Sequence, residues 1–388
     1  MEVFEVVCES LLLLVDVEFL NIVNQLLLKT VLIVVNLWNL FETINQGRIY
    51  TIAEMSANHA GKLENALKIV HAAREAGASC LKIQTYTADT LTIDCKSESF
   101  MVRGGLWDGK SLYDLYKEAY TPWEWQPRIK AECEKVGIDF LSTPFDRTAV
   151  DFLEEMDCEA YKIASFELVD LPLIEYTASR GKPMILSCGM ASEEEIADAV
   201  EACRRQGNHD IVLLKCCSEY PADPVYMNLS TIRDMEKRFH VVIGLSDHSM
   251  GYLADVTAVA QGARVIEKHF CLSRDIEDAD SAFSMEPEEF KEMVKSVNEA
   301  ALMLGSVSYG PTEGEQEEYK SRRSLFVVKP MKKDEIFTGE NVRSIRPSGG
   351  LPPKELPRVL GKRAACDIPF GTPLSRDMIL NPGRIMRT

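Results

Sequence analysis

From residue 49 onward, short apolar runs rich in β-branched residues alternate with longer segments whose apolar positions recur at the helical period. Such runs are typical of buried parallel strands, and the segments between them are typical of covering helices. The eight runs are residues 49–54, 78–85, 138–143, 160–165, 183–189, 211–216, 241–247 and 263–270. Eight strand–helix units in ~250 residues predict a (β/α)8 TIM barrel over residues 49–304.

The alternative architecture is a doubly wound open sheet, whose first strand is often followed by a Gly-x-Gly-x-x-Gly turn. No such turn follows residues 49–54, so the barrel is preferred. Helices are predicted within residues 63–78 and 192–207, each with a glycine at or near its C-terminal end. Ser192 followed by Glu195 is the spacing of a capping box at a helix start.

Polar side chains gather at the carboxyl ends of these runs. They are Glu54; Lys82 and Gln84; Thr143; Lys162 and Ser165; Ser187; Asp247 and His248; and Glu267 and His269. In a (β/α)8 barrel these ends converge on one face, where active sites are built. Packing alone does not explain so many polar positions in register, so the pattern predicts an active site.

The character of the chain changes after Gly305. Residues 305–321 are polar and rich in turn formers, which indicates a linker. Residues 322–388 hold several short strand patterns separated by turn signals. They predict a small β-rich domain that is marginal by itself and is expected to be docked on another surface.

The first 48 residues form an apolar extension outside the repeating pattern. Residues 19–41 are long enough to cross a bilayer, yet they carry Lys29 together with four Asn and one Gln. The chain starts with acidic residues where a signal peptide has a basic region. A packing helix or a start upstream of the working protein is favoured over a membrane anchor, which stays open.

Composition narrows the class of protein. The net charge of −17 and the pI of about 5.0 argue against nucleic acid as a partner, because such proteins present basic surfaces to phosphate. A hydrophobic content of 46% is that of a globular protein with a sizeable core. Eleven cysteines without a Cys-x-x-Cys pair indicate reduced thiols and predict a cytoplasmic location.

His248 and His269 end the seventh and eighth runs, which are neighbours in a closed barrel. Two imidazoles there could share one divalent ion, with water and substrate oxygen completing its coordination. Asp247 or Glu267 could orient them by hydrogen bonding. Each histidine alone could equally be a core residue, and His59, just after the first run, could either line the same mouth or cap a helix.

Lys82 and Lys162 lie inside apolar runs, where a buried lysine is costly unless it is paired. Two lysines in one mouth, with hydroxyls from Thr143, Ser165 and Ser187, predict a site for phosphate or carboxylate. A Schiff-base lysine and outward-facing lysines are the alternatives. Glu54 is a candidate general base for water, or else a supporting carboxylate. The long connection at residues 104–114 is expected to close over a substrate, unless it is only a packed excursion.

The chain resembles the sialic acid synthase family, which condenses phosphoenolpyruvate with an N-acylated amino sugar. The resemblance covers residues 49 to about 380. It is carried by the stretches AEMSANHAG (53–61), LKIQTY (81–86), STPFD (142–146), YKIASFE (161–167), ILSCGM (185–190), GLSDHS (244–249) and VIEKHF (265–270). The family's antifreeze-like (SAF) domain is matched within residues 322–388, by SLFVVKPMKKDEIFTGENVRSIRPSGG and GKRAACDIPFGTPL.

The resemblance implies roles that the residues alone do not. His248 and His269 would bind a divalent metal, Mn²⁺ foremost, with Mg²⁺ or Co²⁺ as alternatives. The implied catalytic residues are Glu54, Lys82, Lys162 and Glu267. The implied substrate-binding residues are Thr143, Ser165, Glu167, Ser187, Ser246, Tyr220, Asp280 and Arg346. Arg346 would reach the sugar of a partner subunit in a domain-swapped homodimer.

The sequence also bears on which sugar the chain would use. The N-acetylneuraminate branch of the family tends to have Asn where this chain has Ser218, two residues before a Tyr-Pro pair. The stretches SANHAG, GGLWDGKSLYDLY and TPWEW favour another branch. An N-acetylneuraminate or legionaminate synthase, a metal-dependent aldolase and a non-catalytic sugar-binding paralogue stay as alternatives.

Overall fold

The computed structural model describes residues 39–276 and 278–380. These residues form two compact units, one up to Gly305 and one from Ser306 onward. Each unit has a hydrophobic core of its own.

The first unit is a closed barrel of eight parallel strands, in which each strand pairs with the next along the chain and β8 pairs with β1. This confirms the predicted (β/α)8 barrel. Each predicted run corresponds to one strand, although β3 continues one residue beyond its run, to Pro144. The strands are β1 (Tyr50–Glu54), β2 (Cys80–Thr85), β3 (Asp139–Pro144), β4 (Tyr161–Ile163), β5 (Met184–Ser187), β6 (Ile211–Cys216), β7 (Val242–Asp247) and β8 (Val265–His269).

Helices connect the strands and cover the barrel. Those of the first unit are α1 (Leu63–Glu75), α2 (Ala88–Leu91), α3 (Leu112–Ala119), α4 (Gln126–Val136), α5 (Arg147–Glu155), α6 (Leu171–Ala178), α7 (Glu193–Arg205), α8 (Thr231–Phe239), α9 (Leu253–Ala260) and α10 (Pro287–Leu304). The capping box predicted at α7 is present, since Glu195 N donates to Ser192 Oγ at 3.2 Å and Ser192 N donates to Glu195 Oε2 at 2.7 Å.

Side chains alternate between the inside of the barrel and the layer beneath the helices, as the period of a strand requires. The inner cluster includes Tyr50, Ile52, Cys80, Leu141, Ile185, Val212, Leu214 and Val265. Continuing the same alternation toward the carboxyl ends turns Glu54, Lys82, Lys162 and Glu267 inward. The apolar lower layers therefore place an upper polar layer at the carboxyl-terminal face.

The opposite end of the barrel is covered by residues 39–45, which are helical. Leu40 and Ile44 pack against the inner apolar cluster, and Asn39 Nδ2 donates to Asp139 Oδ1 at 2.8 Å. The barrel thus makes use of residues that the sequence assigned to the extension. The rest of that extension, residues 1–38, lies outside the described residues.

The second unit is small and β-rich, as predicted. Strands β9 (Ser324–Val327) and β10 (Val342–Ile345) pair antiparallel, and isolated bridges join several further segments. The two short helices are α11 (Gln316–Tyr319) and α12 (Leu356–Val359). Leu325, Val327 and Phe337 are among the residues of its core.

Within residues 39–276 and 278–380, no helix is both long and apolar enough to span a membrane. The ten cysteines of this part of the chain are free thiols. The predicted cytoplasmic location stays a prediction.

Candidate active site

The polar layer at the carboxyl ends of the strands is buried and densely connected. Lys82 Nζ lies 2.7 Å from Glu54 Oε2 and 3.5 Å from Glu267 Oε1, so one lysine bridges β1 and β8. It also donates to Thr143 Oγ1 at 3.4 Å. Burial would lower the pKa of Lys82, but the charges of Glu267 and Glu54 outweigh it and raise the pKa. The ammonium group is therefore held in its charged form.

The two carboxylates beside Lys82 differ in their proton affinity. Burial raises the pKa of Glu54, and the charge of Lys82 only partly opposes this. For Glu267 burial acts in the same direction, but Lys162 and Lys82 together lower its pKa. Carboxyl groups whose pKa values are driven apart are suited to different roles. Glu54 is the one suited to accept and release a proton.

Lys162 is the second buried lysine, 2% exposed, on β4. Its Nζ donates to Ser187 Oγ at 2.6 Å and to Ile163 O at 2.9 Å. An ammonium group has three donor hydrogens, so one is left for a ligand. Burial lowers the pKa of Lys162, which means that an anion bound beside it would relieve an unfavourable desolvation.

Hydroxyl groups surround these lysines at the ends of other strands. Ser246 Oγ donates to Glu267 Oε1 at 3.2 Å, and Ser165 Oγ accepts from Gly189 N at 3.1 Å. A Cβ atom at Gly189 would lie 2.1 Å from Ser218 Oγ and 2.7 Å from Ser165 Oγ. Only glycine fits between these two hydroxyls, so the β5 end approaches the β4 and β6 ends closely.

His248 and His269 face each other across the ends of β7 and β8, with ring centroids 5.4 Å apart. His248 Nδ1 donates to Cys217 O at 2.9 Å, which leaves the lone pair of its Nε2 free. Within the described part of the chain, the buried His269 Nδ1 has no hydrogen-bond partner, and Asp280 Oδ2 lies 3.9 Å from it. Burial, followed by the charge of His248, lowers the pKa of His269 well below its ordinary range, so the ring is neutral.

Two imidazole rings side by side can supply nitrogen ligands to a divalent metal of the first transition row, which displaces any proton from the nitrogen that it binds. No group of three or more His, Cys, Asp or Glu side chains suited to a metal occurs in residues 39–276 and 278–380. A metal held here would have these two histidines as protein ligands, and its remaining coordination positions would be left to water and substrate oxygen.

Two acidic residues predicted to bind substrate lie at the same mouth. Asp280, 9% exposed, follows β8 and has its pKa raised by burial. Glu167, after β4, has its pKa raised to about 7 by burial, and its Oε2 has no hydrogen-bond partner among the described residues. A buried carboxyl oxygen without a partner is costly unless a ligand satisfies it.

Tyr220 lies directly over the histidines, with its ring 4.2 Å from that of His248 and 6.2 Å from that of His269. Phe283 packs beside it at 5.4 Å and lies 4.9 Å from His269. The predicted sugar contact of Tyr220 is therefore next to the predicted metal ligands.

Several contributors to this site were not identified from the sequence. Gln84 was noted only as a polar strand end, but its Nε2 donates to Glu54 Oε1 at 2.9 Å and to Ser56 Oγ at 3.1 Å. The alternation on β2, which turns Cys80 and Lys82 inward, would have indicated that Gln84 points the same way.

Lys268 is the largest omission. Its Nζ forms an ion pair with Asp247 Oδ2 and donates to Ser249 O and Gly251 O, both at 2.7 Å. Asp247 accepts hydrogen bonds from Lys268 Nζ and from the backbone and hydroxyl groups of Ser249. Asp247 thus holds the loop that carries His248 rather than the imidazole itself, which differs from the predicted contact.

Arg346 lies in the second unit, in the turn after β10, and is exposed. It lines a surface cavity together with Arg322, Arg323 and Glu318. Its predicted contact with a partner's sugar stays a prediction.

His59 is a structural residue in this fold. Gly61 N donates to its Nδ1 at 3.1 Å, so its Nε2 carries the proton and faces Thr121 Oγ1 at 3.3 Å. Its ring packs edge-on against Trp125 at 5.5 Å. Burial lowers the pKa of His59 to about 4. Of the two interpretations of this residue, the one that keeps it in the loop before α1 agrees with these contacts.

A pH effect on stability follows from this depressed pKa. His59 binds a proton near pH ~6.5 in the unfolded chain but only near pH 4 in the folded chain. The folded state therefore has the full stabilising contribution of the neutral ring above pH ~6.5. It is lost as the pH falls toward 4. Between about pH 7.5 and about pH 5 we expect a loss of about 2 kcal/mol from this residue. Denaturant unfolding of the parent and of His59→Gln at both pH values measures it. An equal pH dependence in the two proteins would contradict the assignment.

The fold and the buried polar layer define a (β/α)8-barrel enzyme with a small β-rich second unit. Comparison with known families identifies it further. The NeuB family model matches residues 69–309, and the SAF domain model matches residues 322–380. The chain belongs to the NeuB family, which confirms the resemblance seen in the sequence.

Individual relatives and a solved structure are consistent with this family assignment. A pseudaminic acid synthase of Campylobacter jejuni is 48% identical over 330 residues, covering 84% of this chain and 95% of the relative. A pseudaminic acid synthase of Helicobacter pylori is 42% identical over 330 residues, covering 84% and 97%. The crystal structure of N-acetylneuraminic acid synthetase from Leptospira borgpetersenii, in complex with citrate, has a TM-score of 0.63 at 32% identity. It covers 70% of this chain and 90% of that one.

Proposed function

We propose that the protein is a pseudaminic acid synthase. The reaction condenses phosphoenolpyruvate with 2,4-diacetamido-2,4,6-trideoxy-L-altrose and water, giving pseudaminic acid and phosphate. The observation that carries this proposal is the pair of buried lysines, Lys82 and Lys162, in the mouth that also holds His248 and His269. The identity of 42% to 48% to relatives named pseudaminic acid synthase selects the sugar.

Phosphoenolpyruvate is the natural occupant of the lysine side of the mouth. Lys82 and Lys162 supply ammonium groups, and Thr143, Ser165 and Ser187 supply hydroxyls at the neighbouring strand ends. Charge-assisted hydrogen bonds of this kind bind phosphate and carboxylate oxygens well. Because the site is buried, their strength is not reduced by water, and they also hold the enol in place for attack.

A divalent ion, Mn²⁺ foremost, is proposed between His248 and His269, where it would polarise the aldehyde oxygen of the open-chain sugar. The fit rests on two ring nitrogens that have no hydrogen-bond partner among the described residues, Nε2 of His248 and Nδ1 of His269. Tyr220 and Asp280 lie beside the two rings and are proposed to bind the sugar.

Glu54 is proposed to handle the proton of the attacking water. Carbon 3 of phosphoenolpyruvate forms the new bond to the aldehyde carbon, water adds at carbon 2, and phosphate leaves by cleavage of the C–O bond. The raised pKa of Glu54 suits a group that takes a proton from water near neutral pH. Gln84 and Lys82 fix its two oxygens, and Glu267 keeps the negative charge that balances the lysines.

Arg346 is proposed to complete the sugar site from a partner subunit, in a homodimer that swaps its small unit. The support is its place on an arginine-lined surface of the second unit. Phosphoenolpyruvate and an N-acylated amino sugar are the proposed small-molecule substrates of the protein.

Synthases acting on other sugars are the main alternative. A relative named N,N'-diacetyllegionaminic acid synthase, from Legionella pneumophila, is 32% identical over 330 residues. Ser218, whose Oγ lies against Gly189, stands where the N-acetylneuraminate branch tends to have Asn. A larger side chain there would fill space at the β6 end. The connected set of lysines, carboxylates and histidines also disfavours a non-catalytic paralogue.

The test is phosphate release from phosphoenolpyruvate in the presence of Mn²⁺, with the altrose, the legionaminate precursor and N-acetylmannosamine compared, and the product identified by NMR. We expect turnover with the altrose and its loss on treatment with EDTA. Turnover of N-acetylmannosamine in preference would assign the protein to the N-acetylneuraminate branch. Absence of phosphate release with every sugar would refute the proposal.

A further inference from the structure

A continuous aromatic surface rises from the two histidines toward the open end of the barrel. We define the aromatic wall as Trp107, Tyr220 and Phe283. Trp107 lies 5.9 Å from Tyr220, which in turn covers His248 at 4.2 Å. Phe283 closes the side next to His269, at 4.9 Å. The wall therefore has an inner end at the histidines and an outer end at Trp107.

At the outer end of the wall, the indole of Trp107 has no hydrogen-bonding group left for a ligand. Its Nε1 donates to Ala279 O at 2.9 Å, and this is the one hydrogen-bonding group of the ring. A ligand group that touches this end meets carbon and ring edges, and a hydroxyl placed there would lose its hydrogen bonds to water without replacement.

The loop that carries Trp107 is built to hold it across the mouth. Its base is closed by the bridge between Met101 and Ser111 and by the hydrogen bond from Val102 N to Lys110 O at 2.9 Å. Gly104, Gly105 and Gly109 have φ values of 74°, 72° and 82°, which residues other than glycine rarely adopt. This loop is the connection expected to close over a substrate, and its Trp107 contacts Tyr220 and Ala279 on the other side of the mouth.

The orientation of the bound sugar in the mouth follows from the proposed function, on which this inference rests. The aldehyde carbon must lie near the histidines and the lysine-bound enol for the new bond to form. With the aldehyde there, a sugar chain that extends along the wall would bring its last carbon toward Trp107. In the proposed sugar that carbon is a methyl group.

We propose that Trp107 is a specificity-determining residue that selects sugars lacking a hydroxyl on their last carbon. The indole packs against the terminal methyl group and leaves a terminal hydroxyl without a partner. Tyr220 and Phe283 give the wall its continuity, and Ala279 O fixes the orientation of the indole.

The test compares kcat/KM for 2,4-diacetamido-2,4,6-trideoxy-L-altrose and for its 6-hydroxy counterpart in the same enzyme preparation. We expect the parent to favour the 6-deoxy sugar by about 10- to 100-fold. Trp107→Ala should reduce this ratio by about tenfold, because the apolar surface that rejects the hydroxyl is gone. Trp107→Phe should retain most of the preference. A ratio of two substrates does not depend on how much of the enzyme is folded.

A binding measurement separates Trp107 from general packing effects. The reduced sugar, an alditol without the aldehyde, cannot react, and its binding is followed by indole fluorescence. The signal change should be lost in Trp107→Phe. It should be kept in Trp123→Phe, which alters a tryptophan that stacks on Phe152 at 4.8 Å instead.

Three results would overturn the inference while leaving the proposed function intact. They are equal use of both sugars by the parent, an unchanged ratio in Trp107→Ala, and a fluorescence change that persists in Trp107→Phe. Phosphate release with neither sugar would refute the proposed function, and the inference with it.

Discussion

Replacing Lys162 by methionine is expected to lower kcat/KM for phosphoenolpyruvate by about 10²-fold or more. Its ammonium group would form a buried charge pair with the bound anion, and truncating one partner of such a pair costs about 2–5 kcal/mol. Methionine keeps the length and apolar stem of lysine but removes the ammonium group that donates to Ser187 Oγ. The loss should appear as a higher KM for phosphoenolpyruvate, with little change in KM for the sugar. Steady-state phosphate release at varied concentrations of each substrate measures the two constants.

The chain offers a matched control in Lys215. It lies near the end of β6, as Lys162 lies on β4, but it is on the opposite face of its strand from the inward Leu214 and donates to Cys216 O at 2.8 Å. Lys215→Met should leave both KM values near those of the parent. If Lys162→Met behaved like this control, Lys162 would not belong to the anion site.

The fold was predictable because its pattern is local. Each strand needs only a run of apolar residues, and the alternation within a run decides which side chains enter the barrel. Lys82, Lys162 and Glu267 could be placed at the carboxyl-terminal face on this basis, since the apolar residues two positions before them lie in the inner cluster or in register with it.

Contacts between distant loops could not be predicted in the same way. Trp107 meets Tyr220 and Ala279 only because the barrel brings three loops together, and no spacing in the sequence encodes that meeting. His59 is a second example of a contact that the sequence does not predict. Its position after β1 is consistent with a place at the active face, but its ring turns toward Thr121 and Trp125.

Lys268 shows most clearly what the sequence cannot predict. Its neighbours Glu267 and His269 are residue types that indicate an active site, so the interpretation of β8 follows the inward face. Alternation places Lys268 on the outer face of β8, where a lysine would ordinarily reach solvent. It is instead 1% exposed beneath the helices, and its partners come from the end of β7, from the loop after it and from α9. The sequence contains Asp247 and Asp255 but gives no sign that they converge on one ammonium group.

Replacing Lys268 by methionine is expected to lower the free energy of unfolding of the first unit by about 3–5 kcal/mol, the usual cost of leaving a buried charge without its partner. Asp247 would keep its hydrogen bonds from Ser249 but would lose its counter-charge, and two backbone carbonyls would lose their donor. Denaturant unfolding of the full chain, followed by the tryptophans of the barrel, measures the change. Because these carbonyls belong to the loop that carries His248, affinity for the proposed divalent metal should fall as well.

Two further variants decide whether the loss comes from the buried pair. Lys135→Met removes a lysine whose side chain is 69% exposed and which pairs with Glu132 at 2.8 Å, so it should cost no more than about 1 kcal/mol. Adding Asp247→Asn to Lys268→Met removes the uncompensated charge while keeping an acceptor for Ser249 N, and it should recover part of the lost stability. If Lys268→Met cost no more than Lys135→Met, the buried ammonium would not be what holds the His248 loop in place. The loop would then be fixed by Ser249 and the neighbouring strand alone, and its metal affinity should be unchanged in the variant.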